Sequence, residues 1–127
     1  MLILVVDPKK RPYTKEINGT LEEMQELVGG LIQVVYPFEE RVALVCNDEG
    51  KLMGLPMNRA LRGERGQPYD IISGTFFLCG APEDCDDFVG LTQEQVERYE
   101  RKFHAPEAFF KMKHGDILCV PMEGPSQ

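Results

Sequence analysis

Residues 18–58 read NGTLEEMQELVGGLIQVVYPFEERVALVCNDEGKLMGLPMN. Asn18-Gly19 is a turn. Thr20, followed three residues later by Glu23, has the capping-box spacing, in which hydroxyl and carboxylate each accept from a backbone N–H at a helix start. Leu21, Met24, Leu27 and Val28 recur at helical spacing and form one apolar stripe, with Glu22, Glu23 and Glu26 off it. Gly29-Gly30 stops the helix, because glycine takes the left-handed closing conformation at little cost. The period then changes. Leu31 to Tyr36 is rich in Ile and Val and ends at Pro37, and Arg41 to Cys46 returns as a second strand. Asn47-Asp48-Glu49-Gly50 is a hairpin turn, since Asn and Gly accept positive φ. Leu52 to Leu55 is expected to pair back, completing a three-stranded meander with the helix over one face.

Ahead of this stretch, Leu2 to Val6 is apolar at both parities and predicts a central strand buried on both faces. Asp7-Pro8 ends it. Lys9-Lys10-Arg11-Pro12 reads as a solvated basic turn, and Tyr13 to Ile17 as an edge strand. Beyond it, Asn58 to Gln67 is polar with a basic bias, with Arg59, Arg62 and Arg65 at every third position around Gly63 and Gly66. The glycines favour a mobile linker over a turn that holds a ligand. Asp70 to Gly80 regains strand character, and Gly74 within it marks a bulge or a close backbone approach. Ala81 to Gly90 is an acidic loop around Cys85.

Thr92 and Gln95 repeat the capping box, with Leu91 and Val96 at the staple positions. Val96, Tyr99 and Phe103 form the buried stripe of this second helix, and Arg101 and Lys102 suit its negative end. Glu107 to Lys113 is expected as a short turn or helix, and Ile117 to Val120 as the last strand.

A chain of 127 residues with 43% hydrophobic content is one ordinary globular domain. The expected architecture is α+β: a mostly antiparallel sheet with two helices packed on it, in a single domain over residues 1–122. Residues 123–127 are expected to be a frayed tail. The net charge of −7 argues against nucleic acid as a partner, since phosphate backbones need a basic face. Met1 to Val6 is too short for a signal peptide, and no apolar run approaches the ~20 residues of a membrane span. The expected location is the cytoplasm, with no membrane partner. There the four cysteines are expected to be thiols. Cys46, Cys79 and Cys119 end apolar runs and read as core residues, and Cys85 as exposed.

Leu27-Val28-Gly29-Gly30-Leu31-Ile32-Gln33-Val34-Val35, Asn47-Asp48-Glu49-Gly50-Lys51, Gly54-Leu55-Pro56-Met57-Asn58 and Asp70-Ile71-Ile72-Ser73-Gly74-Thr75 carry a resemblance. In this order they resemble an uncharacterised domain family of Firmicutes phages and integrative conjugative elements, often found near antirestriction genes. The resemblance covers roughly residues 1 to 100. It implies an accessory protein of a phage or other mobile element and transfers no functional residue.

The residues assign no catalytic group, metal or cofactor. Cys79 and Cys85 stand too far apart for a structural zinc pair, and Glu83 to Asp87 lacks the alternation of a calcium loop. Carboxylates around Cys85 disfavour its thiolate. No nucleophile elbow or phosphate loop occurs. Binding chemistry remains, and its candidate ligand-binding residues are Asn47, Asn58, Arg59 and Arg62, whose amides and guanidinium forks suit carboxylates or phosphates. The expected function is non-enzymatic binding of a host protein or a small anionic ligand. An open sheet edge leaves room for a homodimer. The alternatives are an acidic DNA mimic of the antirestriction kind and an enzyme of unknown reaction.

Overall fold

A computed structural model describes residues 1–122, so the tail expected at 123–127 lies outside the described residues. In chain order the elements are β1 (Leu2–Val6), β2 (Tyr13–Glu16), α1 (Leu21–Val28), β3 (Ile32–Val35), β4 (Val42–Asn47), β5 (Met57–Arg62), β6 (Pro68–Ser73), β7 (Phe76–Gly80), α2 (Gln93–Lys102), β8 (Glu107–Lys111) and β9 (Ile117–Pro121). Five strands form an antiparallel sheet in the order β2-β1-β7-β4-β3. Strands β5 and β6 pair as one separate hairpin, and β8 and β9 as another.

The central three strands are apolar at both parities, and strand side chains alternate between faces. Leu4, Val6, Leu44, Phe76 and Leu78 point to one face and pack against Leu61 and Ile72 of the β5–β6 hairpin and Val96, Tyr99 and Phe103 at α2. Ile3, Val5, Ala43, Val45, Phe77 and Cys79 point to the other, under Met24 and Val28 of α1. Each buried Val, Leu, Ile, Phe or Met side chain among these contributes roughly 1.5–3 kcal/mol of apolar burial.

Both helices start as the sequence predicts. Thr20 with Glu23 and Thr92 with Gln95 form complete capping boxes. Gly29 closes α1 at φ 80°. The first strand is buried on both faces, as expected, and lies next to the middle strand β7.

The expected meander is corrected. Its first two strands pair as β3 and β4, but residues 51–54 form a turn, and β7 takes the other side of β4 with Leu44 opposite Leu78. Phe76 to Gly80 is buried throughout and suits a central position, whereas Leu52 and Met53 are exposed. The Asn58–Gln67 linker is corrected too. Its first half is β5, and only residues 63–67 turn, with Gly63 N–H donating to Gln67 O at 2.9 Å. Gly74 divides Asp70–Gly80 into strands of two sheets. Its φ of 85° demands glycine, and the Leu55 side chain packs into the space a Cβ would take. Finally, Glu107–Lys111 of the expected turn or helix is strand β8, because β9 supplies a ladder from Glu107↔Pro121 to Lys111↔Ile117, and only Lys113 enters the turn. Cys119, on β9, is half-buried rather than a core residue.

Candidate functional site

A register shift in the β5–β6 ladder decides where the polar candidates point. Met57 stands opposite Ser73 and Arg59 opposite Ile72, so Asn58 is an extra residue on β5. Such a bulge re-aims side chains. Here two consecutive residues both turn inward: Asn58 is 0% exposed and Arg59 1%.

The amide of Asn58 donates to Val6 O at 2.7 Å and Gly74 O at 2.8 Å. Its Oδ1 accepts from Arg59 Nη1 at 2.9 Å. Arg59 also donates from Nε to Phe103 O at 3.1 Å, from Nη1 to Asn58 O at 3.2 Å and from Nη2 to Lys10 O at 2.5 Å. One guanidinium therefore ties the turn after β1, the bulge and the end of α2 together. Burial pushes its pKa down to about 10, against the attraction of Glu107, and leaves it charged at neutral pH. These donors are spent on the protein's own carbonyls.

Arg62, at the far end of β5, pairs with Glu107 at 2.5 Å. The other oxygen of Glu107 accepts from Ala60 N–H at 2.9 Å. Glu107 is buried, so one carboxylate covers the exposed rim of β5 and fixes the C-terminal hairpin to it. Asn47 stands apart, at the end of β4, where its amide donates to Val28 O at 3.1 Å and its Oδ1 accepts from Glu49 N–H at 2.7 Å. The structure thus groups Asn58, Arg59 and Arg62 on one strand and places Asn47 elsewhere.

A second polar junction was not read from the sequence. Glu40 accepts from Gln95 at 3.0 Å, from Tyr99 at 2.7 Å and from Arg98. The Arg98 bond, then Gln95 and Tyr99, pull its pKa down to about 2. Burial, with Glu40 beside it, raises that of Tyr99. The junction pins the β3–β4 connection to α2, and the Phe38 ring packs against Tyr99 at 4.6 Å, tilted by 49°.

The concavities are modest. Gln33, Asn47, Lys51, Asp70 and Ser73 border about 110 Å³. Phe38, Arg62, Tyr69, Lys102 and Phe103 border about 80 Å³. A shallow dish of about 350 Å³ is lined by Arg41, Glu83, Asp86 and Asp87, and its carboxylates repel anions. Burial raises the thiol of Cys46 to about 11 and that of Cys79 to about 12, so neither is a thiolate at neutral pH. Among the described residues no three His, Cys, Asp or Glu side chains gather closely enough to hold a metal. No described helix is long and apolar enough to cross a membrane.

The β8–β9 hairpin carries a row of exposed apolar side chains. Phe110 lies opposite Leu118, and alternation puts Met112, Val120 and Met122 on the same face. These five side chains are each 37–54% exposed. Glu107, Phe109, Ile117 and Cys119, of the other parity, are buried or half-buried. The alternation of Phe110 with Lys111 was the available sign that β8 is a strand, masked by the turn-or-helix reading, whereas β9 forms where the last strand was expected.

Fold and surface together define a class: a small α+β domain, layered on both sides of an antiparallel sheet, with an apolar hairpin face turned to solvent. The chain belongs to the DUF3846 family, a domain of unknown function, whose pattern matches residues 1–104. No curated protein and no solved structure matches it. The β8–β9 hairpin lies beyond the matched span and docks onto Ala60 and Arg62 within it.

Proposed function

We propose that this protein is a non-enzymatic binding module that docks a partner protein on the open face of its C-terminal hairpin. The observation that carries this reading is the row Phe110, Met112, Leu118, Val120 and Met122, uncovered on one face. A contiguous exposed apolar patch rimmed by polar residues marks an interaction site. A two-stranded hairpin is marginal alone; this one gains rigidity from Glu107 and can present its face without first ordering it.

The partner's chemistry follows from the rim. The turn that ends the face carries Lys113 and Asp116, and Lys111 precedes it with the opposite parity; none joins an ion pair among the described residues, and together they leave one excess positive charge. An apolar patch edged by carboxylates complements that charge. In the mobile-element setting that the family resemblance implied, that partner is a host protein. The small-anion reading loses support because the inward arginine and amides serve internal carbonyls. The DNA-mimic reading needs a continuous stripe of carboxylates, whereas Arg41, Lys51 and Arg98 interrupt the acidic segments at Glu83, Asp70 and Glu40.

The test is a photo-crosslinking residue placed at Leu118, compared with one at the exposed Tyr13, in lysate of the natural host. The expected result is one discrete adduct at position 118, weakened by salt and lost in Phe110→Ser, and none at position 13. No adduct, the same products at both positions, or a cross-link to a second copy of this chain would each overturn the reading.

A further inference from the structure

We infer that the β3 edge of the central sheet pairs with β3 of a second copy, giving a two-fold dimer in which one sheet continues into the other. This inference does not rest on the hairpin face.

The ladder to β4 identifies the free groups. Leu31 is directly opposite Asp48, and Asp48 N–H donates to Leu31 O at 2.8 Å. Antiparallel pairs alternate between bonded and non-bonded. The backbones of Gln33 and Val35 therefore face β4, whereas the N–H and C=O of Ile32 and Val34 face outward. Strand β3 is the last in the sheet, and no side chain among the described residues bonds these groups.

Two contrasts single out this edge. The opposite edge, β2, carries Lys15 and Glu16, the kind of charge that deters strand addition. Residues 31–36, Leu-Ile-Gln-Val-Val-Tyr, hold no charge in a chain of net charge −7. Self-association of an acidic chain is opposed by like-charge repulsion, and this edge is where two copies approach with none in the contacting strands. Leu31 and Tyr36, at its two ends, are both large and exposed.

The occupant is a second copy because the pattern is self-complementary. With the two-fold at Gln33, Ile32 of one copy exchanges both backbone hydrogen bonds with Val34 of the other, and the reverse pair does the same. All the outward groups of the strand are satisfied in one register. Leu31 then lies across from Val35 of the second copy, and Gln33 meets Gln33. Gly30 and Pro37 limit the strand, so the contact is short and the dimer weak.

Sedimentation velocity from about 1 µM to about 300 µM tests this, spanning the affinities such a small interface supports. The wild-type protein is expected to shift from monomer to dimer. Amide exchange should show Ile32 and Val34 gaining protection as concentration rises, while Gln33 and Val35 are protected throughout. Gln33→Glu sets two carboxylates face to face and should weaken the dimer by tenfold or more. Gln33→Ala should leave it within a few fold. Val34→Pro removes an outward donor and should abolish it; Gln33→Glu decides if that variant does not fold. Phe110→Ser should not affect it, which separates this inference from the docking face. A monomer across the whole range, a dimer indifferent to Gln33→Glu, or one lost in Phe110→Ser would each overturn the assignment.

Discussion

Replacing Glu107 with Ala should free the C-terminal hairpin from its platform without unfolding the rest. Two interactions end together. The Ala60 N–H, on a residue 4% exposed, loses its acceptor; leaving a buried donor unmet costs ~1–3 kcal/mol. Arg62 loses its ion pair, but its side chain is 28% exposed and water takes over part of the partnership, so this loss is about 1 kcal/mol. The total is about 2–4 kcal/mol, a factor of roughly 30 to 700 in an opening equilibrium.

Amide exchange followed by NMR reads that factor locally. The amides of Ala108 to Lys111 and of Leu118 to Val120 should exchange faster by that amount, while those of β1 and β7 hold their wild-type rates. Glu107→Gln keeps an acceptor for Ala60 and discards the charge, so its effect should be tenfold or less. In a double-mutant cycle with Arg62→Met, the coupling energy should be about 1 kcal/mol. If the hairpin amides of Glu107→Ala exchanged at wild-type rates, Glu107 would not be what holds the hairpin. If β1 and β7 accelerated equally, the hairpin would be part of the global unfolding unit, and the local account would fail.

Asn58→Asp places a carboxylate oxygen against the carbonyls of Val6 and Gly74, and Arg59 offsets only part of that repulsion. Urea unfolding at pH 7 should show a loss of about 3 kcal/mol, and a smaller loss at pH 4, where a protonated acid donates one bond again. An equal loss at both values would contradict it. Glu40 has a folded pKa of about 2, below its ordinary 4.5. Its contribution is therefore present above pH 4.5 and is lost as pH falls from 4.5 toward 2. With the side chain about one-third exposed, that contribution is about 1 kcal/mol. Glu40→Gln should flatten the acid limb of the stability curve by this amount, and an unchanged limb would count against the junction.

Local rules carried far in this chain. The two threonine caps, the left-handed Gly29 and the both-parity run of β1 each depend on neighbours within a few residues, and each was legible. The position of β7 was not. Phe76 to Gly80 and Leu52 to Leu55 both read as strand material, and only competition for the side of β4 separates them. The C-terminal hairpin was obscured differently. Glu107 to Lys113 was expected as a short turn or helix after Pro106, and the ladder that makes β8 a strand comes from Ile117 to Pro121, beyond the intervening turn. Nor does the sequence say that Glu40, between two turns, will meet α2.

The bulge at Asn58 explains why the candidate site was half read. Polar residues flanked by glycines imply exposure because alternation would send every other side chain to water. One inserted residue cancels that alternation, and Asn58 and Arg59 enter the interior together. A buried guanidinium is costly unless its donors are met, and here carbonyls from three separate segments meet them. No hydrophobic contact imposes that condition, since apolar surfaces tolerate sliding and a hydrogen-bonded fork does not. The turn after β1, strand β5 and the end of α2 are therefore held in one relative position, and β5 is the strand on which Glu107 seats the hairpin. A rigid polar interior beneath a solvent-facing apolar row is the arrangement a docking module needs, because a partner then meets a surface already in its bound shape.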